Sequence, residues 1–138
     1  LPKRWIINNK SEENFVNIDL DKVYQLSLLF EYFEIKISKN DKKQDEIVTS
    51  FLNEITKDVA VNDQNLVKAG EDSFLFSFFS LENIEGTQFK NQIWYRICVK
   101  DSKILIVSFV FSYKLTIKKI GEIYYNKINE LIKSSELN

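Results

Sequence analysis

Histidine is missing from this 138-residue chain. With it go Ser-His-Asp and Cys-His catalysis, most zinc sites and the usual neutral-pH general base. The single cysteine, Cys98, leaves no internal disulfide to form. It stands between Ile97 and Val99 and reads as a small buried hydrophobe. Three glycines and one proline are too few for a low-complexity linker or a glycine-rich phosphate loop. Methionine is absent too, so the native start is expected to lie outside this sequence, and the compartment is open. The expected location is the cytoplasm, with the periplasm as the alternative. No stretch reads as a signal peptide. The longest apolar run, around Ile104–Phe111, is interrupted by Ser108 and is strand-like rather than membrane-spanning.

Charge of one sign is also lacking: 19 basic residues stand against 20 acidic ones. A nucleic-acid partner would need a basic footprint, and Lys42–Lys43 and Lys118–Lys119 are isolated pairs that read as solvated lysines. The acidic residues Glu12–Glu13, Asp19, Asp21, Asp41 and Asp45 fall in turns and helix starts, where capping explains them. Asp19–Asp21 lacks the further ligands and the glycine of a calcium loop. No acid, base and nucleophile set assembles, so the chain reads as a non-enzyme without a cofactor or metal.

What is abundant is aromatic: eleven Phe, six Tyr and two Trp. Three apolar strands are expected at Ser73–Leu81, Gln92–Val99 and Lys103–Tyr113, each apolar on both faces. That predicts a sheet covered on both sides, or one side left for a partner. Before them, Trp5–Asn8 reads as a strand, Ser11–Asn14 as a turn, and Phe15, Val16 and Ile18 as a second strand. Leu20–Ile37 reads as a strand with a bulge near Tyr32–Phe33, where the alternation slips. The rival is a helix on Leu20, Val23, Tyr24, Ser27, Leu28, Glu31 and Tyr32.

Ser38–Lys43 is a polar loop in which Asn40 or Asp41 would cap a helix over Asp45–Val59. That helix carries an Ile47, Phe51, Leu52, Ile55 and Val59 stripe. A turn at Asn62–Asn65, a short strand at Leu66–Ala69 and a turn at Gly70–Asp72 follow. Glu82–Phe89 is expected as the longest hairpin loop and Lys100–Ser102 as a short one. A last helix runs from near Thr116 to Ser134 on Ile120, Ile123, Tyr124, Ile128, Leu131 and Ile132, weakened by Gly121. Ser135–Asn138 is an expected frayed tail. The order β-β-β-α-β-β-β-β-α gives one α+β domain over 1–138, with a mostly antiparallel sheet and two main helices.

Two helices of that length should not hide both faces of so apolar a sheet, which predicts leftover aromatic area for a partner or a second copy. Trp94 and Arg96 are the expected exposed pair, since such residues dominate interfaces. Phe89 is expected in the hairpin loop, Phe76 and Phe78 share a strand face, and Tyr32 completes the candidate partner-binding set.

The opening Leu1–Pro2–Lys3–Arg4–Trp5–Ile6, the strand Gln25–Phe33, the Gln92–Val99/Lys103–Tyr113 hairpin and the closing Leu131–Ile132–Lys133–Ser134–Ser135 together resemble the PsbP-like family. This is the α/β/α sandwich shared by photosystem PsbP, DcrB lipoproteins and EagR secretion chaperones. The resemblance implies a scaffold for binding proteins and brings no catalytic residues. It implies, for this chain, an immunity protein that neutralises a cognate secreted toxin. The alternatives are an EagR-like type VI secretion chaperone, homodimeric with an apolar groove, and a periplasmic small-ligand binder. The expected partner is a toxin or effector protein, without nucleic acid or membrane insertion.

Overall fold

The computed structural model describes residues 15–21, 26–36, 44–100 and 103–134. The chain runs β1 (Phe15–Asp21), β2 (Leu26–Lys36), α1 (Gln44–Ile55), β3 (Asn62–Lys68), β4 (Ser73–Ile84), β5 (Thr87–Lys100) and β6 (Lys103–Lys114). A 3₁₀ turn (Leu115–Ile117) then leads into α2 (Lys118–Ser134). The strands form one six-stranded sheet in the order β1-β2-β6-β5-β4-β3, with every neighbouring pair antiparallel. The expected α+β class is therefore the observed one. The expected strand Trp5–Asn8, the Asn40/Asp41 cap and the C-terminal tail lie outside the described residues.

Both faces of the sheet are covered, which is why the central strands carry apolar residues at consecutive positions. On one face, Val48 and Leu52 of α1 pack on Phe74, Phe76, Phe78, Ile97, Val99, Ile104 and Ile106. On the other, Ile128 and Ile132 of α2 pack on Leu28, Leu75, Trp94, Val107, Phe109, Phe111 and Tyr113. Successive residues of one strand serve opposite cores, as Phe74 and Leu75 show. Fully buried aliphatics such as Leu28, Ile97 and Ile106 each contribute about 1.5–3 kcal/mol through burial.

Several expectations are corrected. No bulge breaks β2, whose register with β6 runs without a shift from Ser27↔Ser112 to Lys36↔Lys103. An irregularity lies instead in β1, between Asp19 and Asp21. α1 ends at Ile55, where the Thr56 hydroxyl donates to the Leu52 carbonyl at 2.7 Å. Val59 is consequently exposed rather than part of the core stripe. Asn62–Asn65 is the irregular start of β3, with Asp63 at φ 50°.

The expected long loop Glu82–Phe89 is a hairpin closed by Ile84↔Thr87, so only Glu85 and Gly86 turn. Both have positive φ, 51° and 85°, the combination that matches the twist of flanking strands. The Asn83 side-chain oxygen accepts the Gly86 N–H at 3.0 Å. Ile123 points outward from α2. Gly121 is buried rather than a weak point: a Cβ there would collide with the Tyr113 ring.

Candidate functional site

The expected exposed pair is not exposed. Trp94 is 0% accessible and Arg96 6%, because α2 lies across β5. Trp94 stacks on Tyr125 at 5.6 Å between ring centroids and donates its indole N–H to the Asn129 side-chain oxygen at 3.0 Å. Arg96 donates from Nη1 to the Ile132 carbonyl at 3.2 Å. That carbonyl is in the last turn of α2, where helix carbonyls lack intrahelical partners and favour a cation. The pair holds α2 to the sheet.

Phe76 and Phe78 are also buried, on the opposite face, and gather with Tyr95 at centroid separations of 5.6, 6.5 and 6.3 Å. Tyr32 is half-buried against the α2-side cluster. Phe89 lies within β5, opposite Glu82 and Lys114, and is half-buried. The predicted residues are thus divided between the two faces of the sheet, with Phe89 in neither core, and do not form one surface. Among the described residues no aromatic is fully exposed: the exposed large hydrophobics there are Val59, Leu66, Val67, Leu81, Ile84 and Ile123. The aromatics were absorbed because each helix needs a bed on its own side of the sheet.

Apart from Val59 and Ile123, these exposed residues lie on β3 and on the β4–β5 hairpin. β3 is an edge strand, paired only with β4 among the described strands, and all seven of its side chains are exposed. Leu66 and Val67 are 43% accessible each and point to opposite sides, Leu66 opposite Phe76 and Val67 opposite Leu75. Beside Leu66 an open cleft of ≈ 200 Å³ separates β3 from α1. Leu52, Leu66 and Phe76 supply its apolar part, and Thr49, Asn53, Thr56, Gln64 and Asn65 its polar part. Toward the hairpin tip stand Leu81 and Ile84, with Lys90 over the Phe79 ring at 4.2 Å. The sequence signal for β3 was its mixed character: four polar residues, then Leu66 and Val67 adjacent. That pattern suits a strand wetted on both faces.

Electrostatics singles out tyrosines among the described residues. The shifted groups are phenols. Burial raises the pKa of Tyr95, Tyr113 and Tyr125 above the ordinary 10.0. Glu31 adds to the effect on Tyr95, Glu122 and Tyr125 on Tyr113, and Asp63 on Tyr125. No group of three or more potential metal ligands is gathered among the described residues. No helix among them is long and apolar enough to cross a membrane.

No known family model matches the chain, and no curated protein does. Solved structures do match its fold. LpqN of Mycobacterium tuberculosis, involved in cell envelope biogenesis, superposes with a TM-score of 0.58 at 7% identity, over 85% of this chain and 76% of that one. PA94 of Pseudomonas aeruginosa, a protein of unknown function for which a regulatory role has been suggested, gives 0.52 at 11% identity, over 96% of this chain and 89% of that one. At such identities the likeness is one of fold.

Proposed function

We propose that this chain is a protein-binding module of the PsbP-like type that acts without chemistry of its own. Its partner would be a secreted bacterial toxin, which it neutralises as an immunity protein. The observation that carries the protein-binding reading is the exposed edge strand β3, with Leu66 and Val67 accessible beside the α1 cleft. Accessible apolar residues along a sheet edge favour association with another chain. A chaperone of apolar helices would use a bare sheet face, and here both faces carry a helix. The toxin-neutralising form of the role rests on the family resemblance of the sequence.

Affinity purification of the tagged chain from its native host, followed by mass spectrometry, tests this reading. A stoichiometric toxin domain whose activity the chain suppresses is the expected result. Recovery of the chain alone, at a monomer's mass, would overturn it.

A further inference from the structure

The edge of β3 has a defined polarity. The Ala69 N–H donates to the Ser73 carbonyl at 2.8 Å, which makes these two residues a hydrogen-bonded pair. Hydrogen-bonded and non-hydrogen-bonded pairs alternate along an antiparallel ladder. Val67↔Leu75 and Asn65↔Ser77 are then hydrogen-bonded pairs as well. Leu66 and Lys68 therefore turn their backbone N–H and C=O groups away from β4, out of the sheet. Their side chains lie on the α1 side, opposite Phe76 and Phe74, and Leu66 lines the cleft.

We propose that β3 takes up an extended segment of the partner protein as a seventh, antiparallel strand, paired to Leu66 and Lys68. The residue opposite Leu66 shares its face, so an apolar side chain there enters the cleft between Leu66 and Leu52. The residue two positions earlier in the partner lies opposite Lys68, which is exposed and makes no ion pair among the described residues. The site thus selects an acidic residue two positions before an apolar one. A second copy of this chain fits less well. Antiparallel self-pairing centred on Leu66 would set the Asn62–Asn65 irregularity of each copy against the regular end of the other. It would also offer Lys68 only Gln64.

The inference deepens the protein-binding reading, and its test separates the two. A randomised peptide display library is selected on the full chain and on the variants Leu66→Pro and Lys68→Pro. At these positions proline removes an outward N–H, which an edge strand tolerates, together with the Leu66 or Lys68 side chain. Enriched peptides should carry the acidic–any–apolar pattern and bind each variant at least about tenfold more weakly, from loss of a backbone hydrogen bond together with the Leu66 or Lys68 side chain. They should also slow hydrogen exchange at the Leu66 and Lys68 amides of the unmodified chain, a readout that stands even if a variant fails to fold. No enrichment, or protection elsewhere than β3, overturns the proposal. In host purifications, a partner retained by both folded variants overturns strand addition and leaves protein binding standing. No partner, with peptides still protecting Leu66 and Lys68, removes the cellular reading and keeps the site.

Discussion

Gly121 lies against the ring of Tyr113, so close that a methyl group on it would overlap Cδ2. α2 can cross the end of β6 only where it has no side chain. Gly121→Ala should therefore destabilise the fold by about 1–3 kcal/mol through overpacking. In a Tyr113→Ala background the same change should be neutral or stabilising, because alanine is favoured over glycine in helices by about 1 kcal/mol. Urea denaturation of the four proteins checks this. An equal loss in both backgrounds would mean that the ring does not set the requirement.

Asn129 is the acceptor for the buried Trp94 indole. Asn129→Leu should leave that N–H without its partner, costing about 1–3 kcal/mol. Trp94→Phe in addition should cost less than the sum of the two single changes, since the donor goes with its acceptor. Thermal denaturation of the double-mutant cycle measures the coupling, and strict additivity would show that the bond contributes nothing.

Three burial-shifted phenols set an alkaline limit. Tyr95, Tyr113 and Tyr125 hold their protons more tightly folded than unfolded. Their contribution is complete below the unfolded value of about 10 and is lost as pH rises from there through the folded values. Alkaline titration should show tyrosinate absorbance and loss of ellipticity rising together for these phenols. Tyr95→Phe should weaken the dependence of stability on pH in that range. If every tyrosine ionises while the ellipticity is still intact, the phenols are not protected by burial.

Glu85 holds φ 51° at the first turn position of the β4–β5 hairpin, a conformation that costs most side chains about 1 kcal/mol or more and that asparagine adopts more readily. Glu85→Asn should raise stability by up to about 1 kcal/mol, whereas Gly86→Val should lower it. Chemical denaturation decides; a destabilising Glu85→Asn would indicate that the glutamate has a role beyond the turn.

The central strands could be read from the sequence because Ser73–Leu81, Gln92–Val99 and Lys103–Tyr113 are apolar on both faces, and only a sheet covered on both sides buries such strands. α1 and α2 were legible from their stripes, apart from their outer members Val59 and Ile123. The candidate site was not. Whether Trp94 is a hot spot or a core residue depends on where α2 crosses, and that is fixed by Gly121, Asn129 and Ile132 meeting β5 and β6 from far along the chain. Phe89 looked like a loop aromatic because Asn83–Gly86 carries its turn chemistry in two residues rather than eight. β3 was half hidden because Asn62–Asn65 has the composition of a turn, and here the turn-like backbone is absorbed into the strand's irregular start.

The long β2–β6 register also shapes the order in which the molecule assembles. β3 to β6 follow one another through tight reversals, so their pairings close small loops and can form early. β2 must instead find a strand that is made after α1 and three other strands, from Ser27↔Ser112 to Lys36↔Lys103. That seam spans the widest sequence separation and should be the costliest closure, and Leu28 and Tyr32 complete their core only when it forms. A chain in which that seam has not closed would leave one side of β6 as a bare edge, open to pairing with another copy.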